Sequence, residues 1–265
     1  MSRADRLLVA VDVGNSTVAV GVFAGDRLVA SWRLAARPGR SADEYAAYLR
    51  ALVDGAGLDA GAVAAIGVSS VVPALVATWR EVGEAVFGRR PYVCQADGPV
   101  PIAARVDMLV GDLGSDRLCD ALAARTLYGA PVVVVDCGSA TTMSVVGPDG
   151  AFVGGAIAPG LRTAADALAA QAALLPGTDL LAPAAAIGRT SVEAVRSGLV
   201  FGAAGLVDGL VRAARRELGA PQAPSVLTGG LAPVIAPHMR TAPVPVLDPC
   251  LTLVGVRLAT LAAPA

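Results

Sequence analysis

The stretch Val11-Asp12-Val13-Gly14-Asn15-Ser16-Thr17 decides how this chain is read, because it returns as Val135-Asp136-Cys137-Gly138-Ser139-Ala140-Thr141. Each copy ends an apolar run on an aspartate, continues through a glycine and small residues, and opens a second apolar run at a threonine. Short apolar runs bounded by turn residues read as buried strands. Glycine with small polar residues between two such runs reads as a hairpin. Outward from the first copy, 7–12 and 17–23 are strands, and Gly25-Asp26 turns the chain into a third at 27–34. Outward from the second, 131–136, 141–146 and 151–157 repeat the meander around the turn Gly147-Pro148-Asp149-Gly150. A repeat spanning about half the chain implies two similar domains, here 1–115 and 116–265.

The connecting segments read as helices and further strands. Ser41-x-x-Glu44 is a capping box that opens a helix to about Val53. The run 64–72 is a buried strand, and Pro73 stands at the first position of an amphipathic helix that reaches Phe87. A short strand follows at 92–95, and 114–128 has helical periodicity. The segment 191–218 is helical, and its glycines at 198, 202, 205 and 209 give small faces suited to close packing against another helix or another subunit. The chain closes with a strand at 225–228, Gly229-Gly230, and a helix near 251–261. Gly55-Ala56-Gly57-Leu58-Asp59-Ala60 matches a dinucleotide fingerprint by letters alone. It follows a helix rather than a strand, so it reads as a helix end and turn.

Composition excludes several classes of function. The 265 residues are 55% hydrophobic and 16% charged, so the chain has the apolar content of a folded protein. Net charge is −1, which offers no excess positive charge to a nucleic acid. All 21 basic residues are arginine. Phosphate-loop and protein-kinase chemistry and pyridoxal chemistry all use a lysine, so each is excluded in its usual form. The single histidine, His238, excludes histidine-pair zinc motifs. Cys94, Cys119, Cys137 and Cys250 lie far apart, which argues against zinc and disulfide frameworks and fits a reducing cytoplasm. The N-terminus reads as a strand rather than a signal peptide. Two charge-poor windows, 60–79 and 218–239, are broken by glycine and proline, so they read as strands and turns and no membrane association is expected.

The repeated hairpin has a chemistry that needs no lysine. Gly14 permits close backbone approach, and the N–H groups of Asn15, Ser16 and Thr17 can form an anion nest. Asp12 can hold Mg²⁺ directly or through water, because hard cations take oxygen ligands. By itself each copy also reads as an ordinary hairpin turn. Two copies, followed by the Gly229-Gly230 turn after a buried strand, suit a nucleotide whose polyphosphate is gripped by main-chain amides. Asp116 in Gly114-Ser115-Asp116-Arg117 can serve as a base that orients an attacking hydroxyl, and Arg117 can bind a carboxylate or phosphoryl oxygens. Its plainer reading is a solvated pair at a helix N-terminus.

The chain resembles the superfamily of actin-like ATPases and acetate and sugar kinases, and within it is similar to the type III pantothenate kinase family over nearly its whole length. The matching stretches are DVGNS (12–16), SSVVP (69–73), GSDR (114–117), DCGSATT (136–142), GGAIAPG (154–160), SGLVFG (197–202), GLVDG (205–209), TGGLAP (228–233) and DPCLTLVG (248–255). The resemblance implies an α/β fold of two duplicated ribonuclease-H-like (actin-like) domains, mixed sheets flanked by helices, with nucleotide in the cleft between them. It implies ATP-dependent phosphorylation of pantothenate, the first step of coenzyme A synthesis, in a cytoplasmic homodimer that uses Mg²⁺ and a monovalent cation, K⁺ or NH₄⁺. It assigns ATP phosphates to Asp12, Val13, Gly14, Asn15, Ser16, Thr17, Val18 and Ala19, with Ser139 as a further ATP contact. It assigns the base to Asp116, the acceptor to Gly114, Ser115, Asp116, Arg117 and Ser191, and the monovalent cation to Asp136. Val106-Asp107-Met108-Leu109-Val110-Gly111 stands where the family carries a Tyr and an Asn-Pro, Ser191 stands for a Thr, and Gln171 for an Arg. Those departures keep a kinase for another small hydroxylated acceptor open, as well as a regulatory relative with weakened catalysis.

Elsewhere, Arg212, Arg215 and Arg216 read as a solvated helix face. His238 reads as a surface or capping residue, and Cys119 and Cys137 as buried fillers.

Overall fold

A computed structural model describes residues 6–95, 102, 113–171 and 177–263. The chain divides into two compact units, Met1–Pro101 with Asp107–Ala123 and Thr252–Ala265, and Ile102–Val106 with Ala124–Leu251. The sequence reading placed one boundary between 115 and 116. By packing, the first unit also takes most of the helix after that point and the C-terminal helix.

The first unit is built on β1 (Leu7–Val13), β2 (Thr17–Ala24), β3 (Arg27–Ala35), β4 (Val63–Ser70) and β5 (Tyr92–Cys94), in the order β3-β2-β1-β4-β5. The β1–β2 and β2–β3 pairs are antiparallel, and the β1–β4 and β4–β5 pairs are parallel. Val9, Val11 and Val13 of β1 join Val18, Val20 and Val22 of β2 on one face. Helices α1 (Ala42–Gly55) and α2 (Pro73–Phe87) cover that face with Tyr45, Leu49, Leu75, Trp79 and Val82. Ser41 and Glu44 form the expected capping box, and Pro73 stands in the first turn of α2. Tyr45 reaches past the core, where its hydroxyl accepts the Arg37 N–H at 2.8 Å and lies 3.1 Å from the Ala35 carbonyl. The opposite face carries Leu8, Ala10 and Asp12, because side chains alternate along a strand. Helices α3 (Ser115–Tyr128) and α7 (Leu251–Ala262) supply its contacts, among them Ser115 to Ser69 and Leu253 to Gly21.

The second unit repeats the arrangement with β6 (Val132–Cys137), β7 (Ala140–Val146), β8 (Phe152–Pro159), β9 (Ser225–Thr228) and β10 (Val246–Leu247). Its order, read from the other edge, is β8-β7-β6-β9-β10, again antiparallel, antiparallel, parallel, parallel. The two sheets therefore have one topology, as the repeat implied, and the duplicated α/β, actin-like fold that the resemblance implied is the observed one. Sequence reading missed α4 (Leu161–Gln171), the one-turn α6 (Ala232–Ile235) and β10.

Helix α5 (Ser191–Glu217) covers the second sheet with Val200, Ala204, Val207, Val211 and Ala214, which recur at three- and four-residue spacing. Its length and composition alone would let it cross a membrane, with a third of its most apolar window buried. Arg215 corrects the expected solvated face: it is 3% exposed, whereas Arg212 and Arg216 are exposed. Its Nε donates to the Ala223 carbonyl at 2.8 Å, Nη1 to the Ala242 carbonyl at 2.9 Å and Thr241 Oγ1 at 3.1 Å, and Nη2 to Ser225 Oγ at 3.1 Å and the Pro243 carbonyl at 3.2 Å. Asp208, two turns earlier on the same face, accepts the N–H groups of Arg240 at 2.7 Å and Thr241 at 3.0 Å. These two charged side chains hold the segment before β10 onto α5. Arg215→Met would fill the space but orphan several buried acceptors. It is expected to cost about 2–4 kcal/mol, since each unmet buried group costs about 1–3 kcal/mol. Urea unfolding measures this, and an unchanged midpoint would contradict the role.

Candidate active site

In the first unit, Asp12 stands near the end of β1, half-buried, and the hairpin beyond it exposes Asn15, Ser16 and Thr17. The turn is closed by the Gly14 N–H donating to the Thr17 carbonyl at 2.9 Å. That bond removes Gly14 from the amides free to meet an anion, and leaves the tip residues for that task. The Ala36 N–H donates to the Ser16 carbonyl at 3.1 Å and braces the loop from β3. Val13 and Val18 are 0% exposed and belong to the apolar core, so their side chains do not face a ligand. Ala19 is paired with Asp12 across the hairpin.

Asp116 and Arg117 lie in the first turn of α3 in the same unit. The Asp116 carboxylate folds back over Gly114, and Oδ1 accepts the Arg117 N–H at 2.8 Å. A Cβ at position 114 would fall on that oxygen, which explains a glycine two residues before the acid. Burial pushes the Asp116 carboxyl above the ordinary carboxylate value, against the opposing pull of Arg117. Arg117 is 7% exposed and sits among Asp116 and Asp120. Asp120 in turn accepts the Thr252 hydroxyl of α7 at 2.7 Å. The solvated pair considered for 116–117 is thus replaced by two side chains largely withdrawn from solvent. Ser115, expected at the acceptor, turns its hydroxyl inward to Ser69, 3.0 Å away.

In the second unit, Asp136 of β6 has the same place as Asp12 of β1, and Thr228 of β9 is its parallel neighbour as Ser69 of β4 is for Asp12. The Gly138 N–H donates to the Ala140 carbonyl at 3.0 Å, the second copy of the turn closure. Ser139 is exposed at the hairpin tip, and its carbonyl accepts Thr163 Oγ1 at 2.6 Å. Gly229, at φ +88°, packs so tightly that a Cβ would fall on Asp136 Oδ1 and within 2.7 Å of the Cys137 backbone. The Leu231 N–H donates to the Cys137 carbonyl at 3.0 Å. Hairpin and Gly-Gly turn are therefore one cradle around the Asp136 carboxylate. Burial, then the Asp136 charge, pushes the Cys137 thiol up to about 12, which keeps it a protonated filler.

Ser191 is exposed at the start of α5, beside a groove of about 520 Å³ shared with Leu168, Ala194, Val195, Gly198 and Leu199. Thr190, the residue before it, caps the helix by accepting the Glu193 N–H at 3.2 Å. The acceptor-side departures at 106–111 lie outside the described residues, whereas Gln171 ends α4. His238 is half-buried and stacks edge-on against Phe201, with centroids 5.0 Å apart. Among the described residues, no group of three or more His, Cys, Asp or Glu forms a metal cluster. Sequence reasoning did not find Ser69, Asp120 or Thr252. The signal for Ser69 was its place in SSVVP (69–73), which was read only as strand and resemblance.

A protein type III pantothenate kinase from Thermomicrobium roseum is 44% identical over 253 residues, covering 96% of each chain. Another so named, from Roseiflexus sp., is 40% identical and covers 95% of this chain and 97% of its own. Among solved structures, the ethanolamine utilization protein EutJ from Carboxydothermus hydrogenoformans superposes with TM-score 0.53 at 17% identity, covering 96% of this chain and 89% of its own, a likeness of fold. The family profile described as type III pantothenate kinase matches residues 8–213. With that match and full-length relatives at 40% identity or more, the chain belongs to the type III pantothenate kinase family.

Proposed function

We propose that the protein transfers the terminal phosphoryl group of ATP to the primary hydroxyl of pantothenate. The observation that carries the reading is the full-length family match, combined with the packing of the helix turn that carries Asp116 onto the sheet face that carries Asp12. Phosphoryl transfer asks the protein for positioning and charge neutralisation more than covalent chemistry. Asn15, Ser16 and Thr17 offer amides and hydroxyls to the phosphates, and Ser139 offers the same at the second hairpin. Asp116 accepts the proton of the attacking hydroxyl, and its burial raises its basicity toward that task. Arg117 stays cationic beside it and faces the acceptor carboxylate or the transferred oxygens. Ser191 is a further contact for the acceptor.

The donors present fit hard cations. Asp12 is a half-buried carboxylate at a strand end beside exposed hydroxyls, which suits Mg²⁺. The Asp136 carboxylate, held in its glycine cradle, suits a monovalent cation. When bound, these ions would neutralise phosphate charge. Two further parts of the reading are a cytoplasmic homodimer and a partner helix on α5. Gly198, Gly202, Gly205 and Leu206 leave an exposed, largely apolar face there, with open space over each glycine.

Incubation with ATP, magnesium, potassium and pantothenate is expected to yield 4'-phosphopantothenate by mass spectrometry, and its absence while other hydroxylated acceptors are phosphorylated would overturn the acceptor. Potassium or ammonium is expected to raise the rate several-fold over choline, and Asp136→Asn to remove that difference. Equal rates in all three salts would exclude the cation role of Asp136.

A further inference from the structure

Ser69 links the first acidic strand to the helix that carries Asp116. It is the in-register neighbour of Asp12 on the parallel strand β4, and in turn pairs with Cys94 on β5. The three side chains therefore form a row across one face of the sheet. Helix α3 packs on that row at two points one turn apart. Ser115 Oγ lies 3.0 Å from Ser69 Oγ and accepts the Ser70 N–H at 3.2 Å. Cys119, one turn further along α3, brings its buried thiol beside that of Cys94. Ser69 is 0% exposed and Ser115 6%, so no water competes for the hydroxyl pair. The thiol pair is the weaker fastening, because sulfur is a poor donor and acceptor.

Asp116 directly follows the fastened residue. The first turn of a helix has unpaired N–H groups and frays unless it is held. A base must be held to a fraction of an ångström to act. We propose that Ser69 is a positioning residue for phosphoryl transfer: through Ser115 it fixes the first turn of α3, and so the Asp116 carboxylate, relative to the Asp12 strand. The proposal rests on Asp116 as the base. Ser69 touches no reacting atom, and its part is to keep base and phosphate hairpin in one register.

The test compares wild type, Asp116→Asn, Ser69→Ala, Ser69→Cys, Ser115→Ala and the Ser69→Ala/Ser115→Ala double variant in the full-length protein. Pantothenate phosphorylation is measured below the melting transition of every variant. Ser69→Ala is expected to lose about 10–100-fold in kcat, the cost of a small misplacement, with KM for ATP within about twofold of wild type, since a kcat loss with preserved ground-state binding reports a transition-state effect. The acid limb of its pH profile is expected to move, because the Asp116 surroundings change. Ser69→Cys, which keeps a weak donor, should recover part of the loss. The double variant should be no worse than either single one, because both cut the same link. Full kcat in Ser69→Ala, a loss confined to KM for ATP, or additive losses would overturn the proposal. If Ser69→Ala does not fold, Ser115→Ala decides by the same readouts. Turnover retained in Asp116→Asn would instead remove the base itself, a failure distinct from wild-type behaviour of the serine variants beside an inactive Asp116→Asn.

Discussion

Asp116→Asn is expected to lower kcat by about 10²–10⁴-fold, the range that a positioned general base supplies, while leaving ATP affinity nearly unchanged. Asparagine has the same shape, and its amide oxygen can still accept the Arg117 N–H, so the first turn of α3 should persist. Stability gives an independent check. The folded-state carboxyl is raised, with burial outweighing Arg117, so the folded protein holds this proton more tightly than the unfolded chain does. That favourable contribution is fully present below the ordinary carboxylate value and is lost as pH rises through the folded value. At neutral pH the ionised carboxylate is therefore a liability, and asparagine should melt at the same temperature as wild type or higher. Below the ordinary carboxylate range this advantage should disappear. The wild-type kcat/KM should fall on its acid side at a pH above the ordinary carboxylate value. Undiminished turnover in Asp116→Asn would exclude the base role, and a clear drop in melting temperature at pH 7 would exclude the burial argument.

Gly229→Ala is the second large effect. The residue is at φ +88°, where an L side chain is strained, and its Cβ would fall on the Asp136 carboxylate and against the Cys137 backbone. The Cys137 backbone cannot give way, since it belongs to the end of β6, whereas the Asp136 carboxylate must turn aside. Strain and overpacking together are expected to cost about 3 kcal/mol, roughly 6–12 °C in melting temperature for a chain of this size. Gly25→Ala provides the comparison: it shares positive φ, at +65°, but has open space around it, so only the backbone part should appear. Equal melting shifts for the two would show that the Asp136 contact is not the cause. In whatever fraction of Gly229→Ala folds, the displaced Asp136 carboxylate should also lose the potassium response.

Much of the fold could be read because its signals are local. Alternating or continuous apolar runs, Pro73 at a helix start, the Ser41–Glu44 box and the glycine turns each act within a few residues, and each was observed where expected. The duplication supplied what local signals lack, since two copies of Asp-x-Gly imply two sheets of one topology. The short elements α6 and β10 were missed because four and two residues carry no period to detect. Arg215 was misread for a different reason. An arginine near a helix C-terminus has a favourable exposed place, and only the carbonyls of a segment 27 or more residues later make burial favourable.

The sequence alone determined the two acidic hairpins, their turn chemistry and the glycine before Asp116, because those depend on backbone conformation and neighbours along the chain. Tertiary structure decided which unit holds Asp116, that Ser115 points inward, and that Ser69 stands beside Asp12. Register between parallel strands and the packing of a helix on a sheet join residues 46 to 57 positions apart. No pattern within a window of one helix or one hairpin encodes such a pairing; it follows from the burial of whole faces against each other.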